Sequence, residues 1–199
     1  MASAPPRRRL APEVRREEIL DEAARVVLAE GVSAVSMERL GREAGVSKAL
    51  VYAYFPNRND LLSALLLREY RHFQAHSRRL LAEVEGFEAV IRATTAAWLD
   101  HVAERGPLIN RLTNEPEIAR AIGTVDEEGR QDTASYFGRL IADTYKVERR
   151  KATMLAELLM GLTGAAGAYL GRTGASRDEL LDVTTAMIFA ALDAATQPS

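Results

Sequence analysis

A run of polar and aromatic side chains between Ser36 and Arg58 concentrates the chemistry available to this sequence. Ser36, Ser47, Tyr52 and Tyr54 offer hydroxyl donors, and Arg39, Lys48 and Arg58 offer cationic ones. Such groups suit phosphate oxygens, and a lysine can also read a guanine edge in a major groove. A second candidate lies around the three histidines. Glu69 and His72 form a Glu-x-x-His pair with His76 one turn on, half of what a carboxylate-bridged metal site in a helix bundle requires. The other half, a second such pair and two further glutamates, is not found, and His101 stands alone. With no cysteine, thiolate ligands, disulfides and cysteine nucleophiles are excluded. Neither a glycine-rich phosphate loop nor a Gly-x-Ser-x-Gly elbow occurs. The expectation is a protein without catalytic residues, metal or cofactor.

The elements that must position the Ser36–Arg58 segment follow from periodicity and punctuation. Pro12 suits a first helical turn, and Ile19, Leu20, Ala23, Val26 and Val27 recur at helical spacing until Gly31, which predicts a helix over 13–30. Ser36 can cap a short helix with Met37, Leu40 and Ala44 on one face and Gly45 at its end. Ser47 can cap a third helix over about 48–54, stopped by Pro56. Asn57 then opens a long amphipathic helix reaching about residue 83. Two short helices across a tight glycine-containing turn form a helix-turn-helix, whose second helix enters the major groove. Val46, Val51 and Phe55 fall on one face of that second helix, leaving Ser47, Lys48, Ala49, Leu50, Tyr52 and Ala53 outward.

The order Gly45-Val46-Ser47, then Val51-Tyr52-x-Tyr54-Phe55, then Asn57-Arg58 before a leucine-rich helix resembles the DNA-binding signature of the TetR (tetracycline-repressor-like) family. The resemblance covers about residues 13–66. It implies a DNA-binding surface made of Ser36, Arg39, Ser47, Lys48, Ala49, Leu50, Tyr52, Tyr54 and Arg58. In that reading Tyr52, Tyr54 and Arg58 meet the sugar-phosphate backbone, and Arg39 is a secondary candidate. Lys48 reads a guanine edge, while Ala49 and Leu50 touch thymine methyls. Leu50 stands where relatives often carry Thr or Ser, so a hydroxyl contact to phosphate is missing there.

Composition agrees with a helical globular chain: 199 residues, 47% hydrophobic, 27% charged, with 13 Gly and 7 Pro. No stretch alternates apolar and polar residues long enough to predict a strand. The net charge of −2 conceals an asymmetry, since residues 1–82 carry 14 Lys and Arg against 10 Asp and Glu. Residues 83–199 reverse it, with 12 against 18. A basic front on an acidic remainder favours a polyanionic partner for the first part alone. The segment Leu158–Gly171 is the longest apolar stretch without charge and falls short of the ~20 residues a membrane span needs. The expected location is cytoplasmic, with no membrane partner.

The expected architecture is all-α, an N-terminal three-helix helix-turn-helix domain followed by a helical ligand-binding and dimerisation domain. Its parts are a basic arm at 1–11, the DNA-binding domain at 12–56, a connecting helix at 57–83 and the second domain at 84–199. Arg7, Arg8 and Arg9 either enter a minor groove as an arm or form a solvated end. Helices are expected over 86–104, 107–113, 116–122, 127–145, 148–170 and 176–195. The last two are apolar almost all round, so one side of each has to meet something outside the protomer. The family resemblance implies a homodimer seam there, assigned to Leu155, Leu158, Leu162, Ala165, Thr184, Met187, Ile188 and Ala191; a larger monomeric core is the alternative. Tyr70, Phe73, Thr94, Trp98, His101 and Phe137 are the expected lining of a pocket for a small hydrophobic effector. The function so reached is a regulator, a repressor released by that effector from a near-palindromic double-stranded operator. A helical interaction module or a helix-bundle metal protein would not bind DNA and would leave Lys48, Tyr52 and Arg58 unexplained.

Overall fold

The computed structural model describes residues 11–197, so the Arg7–Arg9 arm lies outside the described residues. The described chain is helical, without a strand. α1 (Pro12–Glu30), α2 (Met37–Glu43), α3 (Lys48–Tyr54) and α4 (Arg58–Glu83) come first, with one 3-10 turn at Val32–Ala34. α5 (Phe87–Thr113), α6 (Pro116–Tyr145), α7 (Arg149–Thr173) and α8 (Arg177–Thr196) follow.

The caps form at the serines expected. Ser36 Oγ accepts from the Arg39 amide at 3.2 Å and Ser47 Oγ from the Leu50 amide at 3.2 Å. Asn57 Oδ1 accepts from the Asp60 amide at 2.9 Å, which starts α4. Each cap satisfies an N–H that the first turn leaves without a helical partner.

Two of the expected breaks are absent. Pro107 sits inside α5, and one helix runs from Phe87 to Thr113. The proline removes a hydrogen bond, but Leu108 and Leu112 beyond it are fully buried, and that packing keeps the helix continuous. Likewise α6 runs unbroken from Pro116 to Tyr145. A single glycine, Gly123, costs a helix only about 1 kcal/mol, too little to end it.

Packing divides the molecule in a way that differs from the expected boundaries at 56 and 83. The core beneath α1–α3 is built from Ile19, Leu20, Leu40, Val51 and Leu61 among others, and it also contains Leu108, Leu112 and Ile118. The end of α5 and the start of α6 therefore belong to the core of the helix-turn-helix unit. Two smaller cores, around Ile141, Leu155 and Ile188 and around Leu99, Ala166 and Leu181, hold α5–α8 together.

Candidate nucleic-acid interface

The turn between α2 and α3 sets the height and angle of the outward helix. Gly45 has φ +66°, a conformation that favours glycine, and the Val46 amide bonds the Gly41 carbonyl at 2.7 Å. A Cβ on Gly41 would stand 3.0 Å from the Val46 carbonyl oxygen and 3.2 Å from the Lys48 amide nitrogen. Both neighbours are backbone, so any side chain at 41 has to push the start of α3 outward.

From that platform α3 turns Val51 and Phe55 into the core, 0% and 2% exposed. Lys48, Ala49, Leu50, Tyr52 and Ala53 face solvent, with Tyr52 45% exposed. Lys48 Nζ lies 3.7 Å from a carboxylate oxygen of the exposed Glu38, a loose, solvated ion pair. Ser36 and Ser47 are exposed at the N-termini of α2 and α3. Their oxygens accept the capping bonds, which leaves each hydroxyl proton to donate outward. Together these groups make a surface with hydroxyls and helix N-termini along its edge, the chemistry that suits phosphate oxygens, and with the side chains of α3 exposed at its middle.

Three of the expected contact residues are placed otherwise. Arg39 is not free: its Nε bonds Glu43 at 2.6 Å, and its two terminal nitrogens bond Glu30 at 2.8 and 2.5 Å. Its hydrogen bonds to the Glu30 and then the Glu43 carboxylate raise the pKa of the guanidinium, and Arg25 extends the network by bridging Glu22 and Glu43. Tyr54 is half-buried against the core. Arg58 points inward, with Nε 3.0 Å from the Val35 carbonyl and a terminal nitrogen 2.6 Å from the Val32 carbonyl. It caps the short 3-10 turn and ties α4 to the strap before α2. Arg58→Ala should therefore lower stability by about 1–3 kcal/mol, the usual cost of leaving a part-buried acceptor unpaired, here the Val35 carbonyl, since Val32 keeps the Val35 amide. Urea denaturation measures this; a variant as stable as the parent but with a weaker salt dependence of DNA binding would restore the phosphate-contact role.

Sequence reasoning missed two inward arginines. Arg111 of α5 donates to the Val27 and Leu28 carbonyls at the end of α1, a helix with no basic residue in its last turn. That missing C-terminal cation was the available signal. Arg68, 8% exposed, joins Asp21 of α1 at 2.7 Å and Glu69 at 3.2 Å, and Glu69 also lies 3.7 Å from Arg105 of α5. Glu69 is thus held in a buried ion network, while His72 and His76 are exposed. Among the described residues no group of three or more His, Asp or Glu is gathered for a metal ion.

Only part of the expected pocket assembles. Phe73 stacks 4.5 Å from His101 and 5.5 Å, edge-on, from Trp98. Burial lowers the His101 pKa, against the opposing pull of Glu69. Among the described residues the buried Trp98 indole N–H has no hydrogen-bond partner, and it faces Gly167 of α7, where a Cβ would come within 2.5 Å of it. Tyr70 instead packs on the helix-turn-helix core and Phe137 on the Ile141 core, and the Thr94 hydroxyl bonds its own helix at Val90. The expected seam also splits. Leu155, Thr184 and Ile188 point inward at 8%, 3% and 3% exposure, because each lies on the side of α7 or α8 that faces the protomer core. Leu162 is half-buried, and Leu158, Ala165, Met187 and Ala191 are exposed.

Comparison with known proteins bears on this surface directly. Residues 19–65 match the family described as bacterial regulatory proteins, tetR family. The HTH-type transcriptional activator FasR of Mycolicibacterium smegmatis is 26% identical over 166 residues, covering 81% of this chain and 74% of its own length. The HTH-type transcriptional repressor KstR of the same organism is 29% identical over 133 residues, covering 65% of this chain and 64% of its own length. In fold, a transcriptional regulator from Pseudomonas aeruginosa superposes with a TM-score of 0.79 at 17% identity, over 94% of this chain and 95% of its own.

Proposed function

Starting from a TetR-like chain whose residues 19–65 are the tetR-family DNA-binding domain, we propose that it is a homodimeric regulator that represses from a near-palindromic operator and is released by a small molecule. The observation that carries the operator reading is α3 itself. Its buried side is a close-packed anchor, and its free side presents a lysine, an aliphatic pair and a tyrosine with no structural task of their own.

The dimer reading rests on apolar side chains left uncovered on two neighbouring helices. Met154, Leu158 and Tyr169 of α7 are 53%, 65% and 47% exposed, and Val183 and Met187 of α8 are each 50% exposed. Gly161, Ala165 and Ala168 between them allow helices to approach closely. α7 is apolar and long enough to cross a membrane on length and composition alone, but it packs on α5, α6 and α8. A second copy covers that surface and sets two α3 helices one DNA turn apart, about 34–36 Å.

Release by an effector rests on the Phe73–Trp98–His101 stack. An apolar molecule packed against these rings would push on α4, which carries Phe73 and starts beneath α3. A coupling of about 1–3 kcal/mol, or 5–150-fold, makes a useful switch. FasR is an activator and KstR a repressor by name, and repression is the reading adopted for this chain.

Lys48→Ala tests the operator reading. It should weaken operator binding by about 1–3 kcal/mol and relax the preference at one base pair per half-site. Selection of binding sites from random duplexes, run on both proteins, measures it. An unchanged consensus and affinity in a folded variant would remove Lys48 from base reading.

A further inference from the structure

At the end of the molecule away from α3, the turn between α4 and α5 opens a groove of about 850 Å³. It is lined by Glu85, Phe87, Glu88, Arg92, Tyr145 and Phe189, with small residues between them. Phe87 is the centre of its aromatic wall, set edge-on to Tyr145 at 5.5 Å and to Phe189 at 6.2 Å. The three rings come from α5, α6 and α8 and are half-buried, so each keeps surface for a ligand.

The charge around these rings is mainly acidic. Glu85 and Glu88 stand at the rim, and Asp193 accepts from the Tyr145 hydroxyl at 3.3 Å. Arg92, the one cation among the lining residues, is held 2.6 Å from Asp182. Burial, followed by the charge of Asp193, raises the Tyr145 pKa, with Glu88 acting in the same direction. Ring faces attract cations, and carboxylates at the mouth of a concave site raise the local concentration of cations. Pockets for small molecules span about 300–1,000 Å³, which includes this one.

We propose that this groove is a binding site for a lipophilic organic cation, separate from the Phe73–Trp98–His101 stack. The rings hold the apolar body, and Glu85 and Glu88 complement the charge. An anion of the same shape meets the carboxylates and is refused. The site stands independently of the operator reading, since it needs no DNA to be occupied.

The test uses two ions of one shape and opposite charge, tetraphenylphosphonium and tetraphenylborate, titrated calorimetrically into the full chain without DNA. The phosphonium should bind saturably, one per chain, and the borate should not. Glu88→Gln removes a charge from an exposed position, and Phe87→Leu keeps the apolar volume while removing the ring. Each should weaken phosphonium binding about tenfold, the scale of a partly desolvated cation–ring contact. Operator binding by Glu88→Gln should match the parent. Absence of saturable binding, equal binding of the borate, or affinity unchanged in both folded variants would each overturn the assignment.

Discussion

Leu158→Glu should turn a dimer into a folded monomer that no longer holds its operator. Leu158 is 65% exposed in the protomer, so a carboxylate there leaves the cores around Leu155 and Leu99 untouched. In the proposed dimer the same position lies in the seam, and two-fold symmetry places two carboxylates among apolar side chains. Each unpaired buried charge costs several kcal/mol, enough to dissolve an association that would otherwise persist at micromolar concentration. Operator binding falls with it, because one recognition helix loses the roughly 10²–10⁴-fold gain of a linked second contact. Met187→Glu on α8 should behave in the same way, being half exposed on the adjoining helix. Sedimentation equilibrium and fluorescence anisotropy measure both effects. A parent protein that sediments as a compact monomer, or a Leu158→Glu protein that remains a dimer, would refute the seam.

Leu112→Ala should destabilise the DNA-binding unit although residue 112 lies far outside it in sequence. Its side chain is fully buried in the same core as Leu20, Leu40 and Val51, together with Leu108 and Ile118. Truncating a leucine in such a place costs about 2–5 kcal/mol, a large part of the 5–15 kcal/mol that holds a domain folded. Native-state hydrogen exchange should show α1–α3 losing protection first, with DNA binding lost at a lower temperature than in the parent. If the loss stayed below 1 kcal/mol, or appeared only in α7 and α8, the end of α5 would not belong to that core. The same packing would give the proposed effector a physical route to the DNA-binding unit, since α5 passes from the Trp98 stack to the floor of the helix-turn-helix unit.

The helix-turn-helix was legible in the sequence because every signal in it is local. Ser36, Ser47 and Asn57 cap the turns they precede, Gly45 takes the left-handed position between α2 and α3, and Val51 and Phe55 recur at the helical period. That Lys48 and Tyr52 face outward follows from the same period and needs no knowledge of what packs beneath.

The destinations of the arginines were not legible. Arg39, Arg58 and Lys48 are alike in charge and neighbourhood, yet two of them are spent on Glu30, Glu43 and the carbonyls of Val32 and Val35, and the third is exposed with a loose ion pair to Glu38. A long cationic side chain reaches groups 9 to 26 residues away in the chain, and sequence spacing does not record which of them arrive. The continuity of α5 through Pro107 and of α6 through Gly123 belongs to the same class, because tertiary burial outweighs a local breaker. So does the sorting of Leu155 inward and Leu158 outward, three positions apart on one apolar helix.

By itself, then, the sequence determined the helical class, the DNA-reading motif and the polarity of its third helix, all consequences of contacts within a few residues. Only the tertiary structure decided which cations are spent on internal partners, which apolar face stays exposed in the protomer, and that Phe87, Tyr145 and Phe189 share one groove. Those are contacts between residues up to about a hundred positions apart, and their geometry exists only once the helices have packed.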